Sequence, residues 1–181
     1  MNTIYLAGAD VFRNSADAFD YFEKMKTLCE KYGFIGLSPF DNENFDGELY
    51  SKTHSRSIFL SNIDLIHKCN IIIANLNPFR GACVDDGSAF EMGVGFTLKK
   101  VMYGYTQFHN EKLKDITETY FNYNYLRQKS EYPVIEKFGN NCVNLMLQES
   151  IELFGGKILS TFEDCLKDLK KNHYNIKMKT V

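Results

Sequence analysis

The chain has 181 residues, a length that suits one compact domain, and 44% of them are hydrophobic, an ordinary globular balance. Its 21 basic and 23 acidic side chains leave a formal net charge of −2, which argues against a nucleic-acid-binding surface spanning the protein but not against a single nucleotide or nucleoside as ligand. The five cysteines (Cys29, Cys69, Cys83, Cys142 and Cys165) are widely spaced, odd in number and form no Cys-x-x-Cys. They read as free buried thiols of a reducing cytosol rather than a disulfide framework or a zinc knuckle. The chain opens on strand-like residues instead of a signal peptide, and no apolar stretch approaches the ~20 residues of a membrane span, so a cytoplasmic protein is expected.

In chain order, Ile4 to Ala7 is a short apolar run stopped by Gly8, the mark of a buried first strand and a tight strand-to-helix turn. Asn14 or Ser15 can cap the next element, in which Phe19, Phe22, Met25, Cys29 and Tyr32 recur at helical steps until Gly33. Phe34 to Leu37 is a second strand. Ser38 to Thr53, with Pro39, Asp41, Asn42, Asn44, Asp46 and Gly47, is a long loop of the kind that is often functional. Arg56 to Lys68 places Phe59, Ile63 and Ile66 at helical spacing. The run Asn70 to Leu76 is β-branched and continuous, as in a central parallel strand covered on both faces.

Pro78-Phe79-Arg80-Gly81 is a second loop, Ser88 to Lys99 a helix and Val101 to Tyr105 a fourth strand. Thr106 to Phe138 has a weak pattern, read as a helical or irregular excursion. Cys142 to Phe154 is helical, Lys157 to Leu159 a last short strand and Thr161 to Lys170 a terminal helix. Residues 171–181 read as a loosely ordered tail of this single domain, 1–181. Alternating strands and helices predict an α/β, three-layer flavodoxin-like or Rossmann-like sandwich around a mostly parallel five-stranded sheet. Ligands of such sheets sit beyond the carboxyl ends of the strands, which singles out the turn after Ala7 and the loops after Leu37, Leu76 and Tyr105.

Asp85, Asp86 and Glu91 lie in or just after the loop that follows the most apolar strand. With a helix starting near Gly87 or Ser88, Glu91 is in its first turn, where the helix dipole favours an ionised carboxylate. Such a carboxylate can attack an electron-poor anomeric carbon, as in retaining glycosidases. Ser88-Ala89-Phe90-Glu91 equally fits a capping box, in which Glu91 only reaches back to a backbone N–H. Spacing alone leaves both readings open. Tyr5 is a core or rim aromatic, Asp64 a solvated charge on the polar face of its helix, Asp41 a turn former and Arg80 an exposed loop cation, unless a site recruits them. His54, His67, His109 and His173 show no metal spacing, and there is no Gly-x-Ser-x-Gly elbow or Walker loop. Gly93-Val94-Gly95 falls inside a helix pattern and is no dinucleotide fingerprint.

Several runs together resemble the nucleoside 2-deoxyribosyltransferase family. They are Thr3-Ile4-Tyr5-Leu6-Ala7-Gly8, Asn62-Ile63-Asp64, Asn75 to Gly81, Asp85-x-Gly87-Ser88-Ala89-Phe90-Glu91-x-Gly93 and Asn144-Leu145-Met146. The resemblance implies that Glu91 is the nucleophile that forms a covalent deoxyribosyl-enzyme and that Tyr5 orients it. It makes Asp64 and Asp85 the aspartates near base and sugar, one of them serving the departing base. It implies substrate contacts from Gly8, Gly87 and Ser88, and from the loop residues Asp41 and Glu43. Glu43 stands where the family is expected to hold a glutamine beside the base, which bears on base preference. Asn144, with Met146, matches residues that a neighbouring subunit contributes to the 5' side of the sugar, so a homo-oligomer is implied. The implied substrates are a deoxynucleoside donor and a free nucleobase acceptor, with no metal, organic cofactor, nucleic acid polymer or membrane. A related N-glycoside hydrolase acting on deoxynucleosides or their 5'-monophosphates is the alternative.

Overall fold

A computed structural model describes residues 1–41, 46–120 and 134–176, the side chains of 173–176 excepted. Five strands form one all-parallel sheet: β1 (Thr3–Gly8), β2 (Ile35–Leu37), β3 (Ile71–Asn75), β4 (Val101–Tyr105) and β5 (Ile158–Leu159). Their order is β2-β1-β3-β4-β5, the doubly wound flavodoxin-like order, with the direction of winding reversing between β1 and β3. The β1–β3 register runs from Ile4 opposite Ile71 to Gly8 opposite Asn75.

The helices are α1 (Ser15–Tyr32), α2 (Lys52–Lys68), α3 (Asp86–Thr97), α4 (Leu113–Tyr120), α5 (Leu145–Glu152) and α6 (Phe162–Ile176). Short 3-10 turns follow β1 and β2, at Ala9–Phe12 and Pro39–Asp41. Strand residues alternate between the two faces. Ile4, Leu6, Ile71, Ile73 and Tyr103 pack with Phe22 and Cys29 of α1 and Cys165, Leu166 and Leu169 of α6. Tyr5, Ala7, Ile72, Ala74 and Met102 pack with Leu65 and Ile66 of α2, Met92 of α3 and Leu147 and Ile151 of α5. Both faces of β3 are thus covered, which is why Ile71-Ile72-Ile73 is apolar without alternation.

The expected elements are present with shifted ends. The terminal helix runs six residues past Lys170, to Ile176, and residues 177–181 of the expected tail lie outside the described residues. The excursion after β4 contains α4; residues 121–133 are likewise outside. Cys83 is exposed, against the expectation that every thiol is buried. Among the described residues no helix is long and apolar enough to cross a membrane.

Candidate active site

Tyr5 is in the middle of β1 and turns to the face covered by α2 and α3. Its hydroxyl donates to Glu91 Oε1 at 2.6 Å. From α2, Asn62 Nδ2 donates to the same oxygen at 3.5 Å, the long end of hydrogen-bonding distance. Both donors fall on Oε1, so among the described residues Oε2 keeps its lone pairs for another partner.

The way α3 begins decides between the two readings of Glu91. The helix starts at Asp86, earlier than expected, and Asp85 is its N-cap. Asp85 Oδ2 accepts from Ser88 N and from Ser88 Oγ, each at 2.8 Å. Ser88 is therefore a donor within the cap, and Glu91, the sixth helical residue, is past the first turn. The capping-box reading of Glu91 does not hold. Neither does the first-turn dipole argument, since that field fades within one turn. Burial instead dominates: it pushes the Glu91 carboxyl up to about 7, with the Tyr5 hydrogen bond pulling down and the charge of Asp85 pushing up. The Tyr5 phenol is pushed far above its ordinary range by burial and by Glu91, so it stays a donor.

The other expected site residues divide. Asp85 is buried, at 6% exposure, and close enough to raise Glu91 electrostatically. Asp64 is not brought to the cleft. Two residues beyond Asn62, it points about 200° away around α2, its side chain is 53% exposed, and it pairs with Lys68. Asp41 acts as a turn former: its carboxylate accepts from Ser38 N and Oγ and pairs with Lys26, leaving no oxygen free of protein partners. Glu43 lies outside the described residues.

Gly8 has φ +145°, and a Cβ there would stand 2.6 Å from Asn75 Cβ. Only glycine lets β1 end this close to β3. Gly87 is exposed in the first turn of α3 and donates its N–H to Asp86 Oδ1 at 3.0 Å. Asn144 caps α5, accepting from Met146 N at 3.0 Å, and donates to Glu136 Oε2 at 3.1 Å. Asn144 and Met146 line a hollow of about 1180 Å³ together with Asp86, Ala89, Gly93 and Phe96 of α3. Those α3 positions are about 140–160° around the helix from Glu91. Within one copy, then, Asn144 and Met146 stand on the opposite flank of α3 from the carboxylate.

At the crevice between the carboxyl ends of β1 and β3, a polar network fixes the flanking loops. Asp10, buried, accepts from Arg13 Nε at 2.8 Å and from Asn75 Nδ2 at 2.7 Å. Asn77 donates to Asn75 Oδ1 and accepts from Thr106 Oγ1. On the surface beside it, Phe12 and Phe79 stack with centroids 5.1 Å apart, and the Arg80 guanidinium covers both rings.

Sequence reasoning passed over Asn62, Asp10 and Phe12 as functional candidates. For Asn62 a signal existed: it falls one helical turn before the fully buried Ile66, on the inward side of α2, whereas Asp64 does not. Among the described residues no group of three or more His, Cys, Asp and Glu side chains is placed to hold a metal ion.

These features define a flavodoxin-like α/β protein whose switch-point crevice adjoins a desolvated carboxylate held by a tyrosine. The chain belongs to the nucleoside 2-deoxyribosyltransferase family, whose model matches residues 4–146. A 2-desoxiribosyltransferase from Leishmania mexicana superposes with a TM-score of 0.72 at 27% identity, over 96% of this chain and 99% of that one. A 2-deoxyribosyltransferase from Bacillus psychrosaccharolyticus shares the fold with a TM-score of 0.55 at 18% identity, over 93% and 90% of the two chains. An uncharacterized protein of Schizosaccharomyces pombe, C191.05c, is 33% identical over 106 residues, 57% of this chain. The match covers 49% of that protein, so the chain spans about half the length of this curated relative.

Proposed function

We propose that the chain transfers 2'-deoxyribose between nucleobases, with Glu91 as the nucleophile. The observation that supports this most is the 2.6 Å contact of Tyr5 with a largely desolvated Glu91 whose second oxygen has no donor among the described residues. Glu91 Oε2 attacks C1' of the donor. The C1'–N bond breaks, its electron pair leaves with the base, and the base takes up a proton. The oxocarbenium-like charge that develops at C1' is stabilised by Glu91 and by nearby Asp85. The acceptor base then attacks C1' of the ester, loses its N–H proton and frees Glu91.

With Asp64 facing solvent, Asp85 is the aspartate assigned to the substrate. Its Oδ2 holds the start of α3 by accepting from Ser88, and its charge acts on Glu91. Asn144 and Met146 are assigned to the site of a neighbouring subunit. Support for this comes from their place across α3 from Glu91 and from Met146 being 73% exposed. Incubation of the purified protein with deoxyinosine and adenine, followed by chromatography, should yield deoxyadenosine. Release of free deoxyribose without base exchange would refute transfer.

A second reading, hydrolysis of a deoxynucleoside 5'-monophosphate, is favoured by one observation. Arg80 lies over two rings at the crevice and pairs with no carboxylate among the described residues, which suits a phosphate. Comparison of deoxyinosine with its monophosphate as donor separates the two.

A further inference from the structure

We propose that Asn62 is a specificity residue that accepts a hydrogen bond from the 3'-hydroxyl of the sugar while positioning Glu91; this rests on the reading of Glu91 as nucleophile. The starting point is an unequal use of one carboxamide. Asn62 Nδ2 is committed to Glu91 Oε1, while Asn62 Oδ1 is buried and has no hydrogen-bond partner among the described residues. A buried acceptor left empty is costly, and such orphans concentrate where a ligand supplies the missing group.

The stereochemistry of a β-deoxynucleoside says which group that is. In-line displacement of the base brings the nucleophile to the face of the sugar opposite the base. The 3'-hydroxyl is on that same face; the 5'-carbon is on the other, and C2' carries no hydroxyl. An acceptor beside the attacking carboxylate therefore meets the 3'-hydroxyl before any other donor of the sugar. The reach is adequate. Within a carboxamide the oxygen and nitrogen are about 2.3 Å apart. Asn62 Oδ1 is thus no more than about 6 Å from Glu91 Oε1, while the attacking oxygen must come to about 3–3.5 Å from C1'. Two neighbouring polar atoms are already engaged. Tyr5 donates to the carboxylate, and Asp85 Oδ2 is filled by Ser88.

Two consequences follow. A 2',3'-dideoxynucleoside leaves Asn62 Oδ1 empty, so it should be a poorer donor by on the order of ten- to a hundredfold in kcat/KM. The discrimination should reside in the side-chain oxygen, so Asn62→Asp, isosteric and still an acceptor, retains it. Asn62→Asp also replaces a donor by a carboxyl group, which lifts the pH at which Glu91 ionises.

The test is the ratio of kcat/KM for 2'-deoxyinosine to that for 2',3'-dideoxyinosine, with adenine as acceptor. A loss of Glu91 positioning lowers both values and cancels in the ratio. The expected result is a wild-type ratio well above one that collapses toward one in Asn62→Ala and persists in Asn62→Asp, whose acid limb moves to higher pH. Asn62→Ser, too short to span the gap, replaces the alanine variant if that one does not fold. A wild-type ratio near one, or a ratio unchanged in Asn62→Ala, overturns the assignment while Glu91 stands. A wild-type protein that cleaves neither donor overturns the functional reading and this assignment with it.

Discussion

Glu91→Gln should make the protein inactive and, above neutral pH, more stable. The Glu91 carboxyl is raised from 4.5 to about 7 by burial. A raised acid binds its proton more tightly folded than unfolded, so its protonated form costs nothing below about pH 4.5. The penalty builds as pH rises from about 4.5, where the unfolded carboxyl ionises, to about 7, and levels off above that. The size of the shift sets the plateau at about 3 kcal/mol, at 1.36 kcal/mol for each pKa unit. Glutamine keeps the shape and still accepts from Tyr5, so it removes the ionisation cost and little else. Urea unfolding of both proteins from pH 4.5 to pH 8.5 should give near-equal stabilities at the acid end. The variant should lead by up to about 3 kcal/mol at the alkaline end, and lose at least ~10³-fold in turnover. Any constant effect of the new amide offsets the two curves without changing their divergence. A stability difference that stays flat across this range would refute the claim that Glu91 is ionised at a desolvation cost.

Tyr5→Phe removes the hydrogen bond that opposes burial at Glu91. Glu91 should then ionise at higher pH, moving the acid limb of kcat/KM upward and cutting activity about ten- to a hundredfold near pH 7; an unmoved limb contradicts the pairing. Gly8→Ala forces a Cβ to 2.6 Å from Asn75 at φ +145°, a strain of about 1–3 kcal/mol. Thermal melting should fall by roughly 3–10 °C. Asp64→Asn should leave base exchange within about twofold of wild type, because an exposed pair with Lys68 contributes little. A loss of several orders of magnitude would return Asp64 to the site. Asp85→Ala should cost about 1 kcal/mol of stability through the lost cap of α3, read by urea unfolding, in addition to its effect on turnover.

The order of strands and helices was legible because burial on both faces writes itself into the chain. Ile71-Ile72-Ile73 could only be a covered strand, and Phe22, Met25, Cys29 and Tyr32 only one face of a helix. Ends were less legible, since they depend on caps: α3 starts at Asp86 because Asp85, not Ser88, fills the cap, and α6 continues past Lys170 without any local stop signal. The pairing of Tyr5 with Glu91, 86 residues apart, is a product of register and was available only through the family resemblance. Asp64 failed for a simpler reason. A carboxylate two residues from Asn62 looks chemically better, but helical phase sends it to solvent.

The cap of α3 also explains how Glu91 is free for chemistry at all. The sequence offers two acids to the same helix start, Asp85 and Glu91, and a Ser-x-x-Glu spacing that invites the second to bond backward. Asp85 reaches the N–H of Ser88 directly and accepts the Ser88 hydroxyl as well, so the local demand for an acceptor is met one turn before Glu91. Glu91 is thereby carried into the second turn, out of the dipole field and against Tyr5. Without Asp85 the frayed start of α3 would expose N–H groups to which Glu91 could return. Asp85 thus acts on Glu91 in two opposed ways: its charge makes ionisation harder, and its cap keeps the carboxylate facing the cleft. An Asp85→Asn variant separates them. The amide oxygen still caps while the charge is gone, so Glu91 should ionise at lower pH in a helix whose start is intact. An acid limb that stayed in place or moved upward would refute the claim that the charge of Asp85 holds the Glu91 carboxyl up.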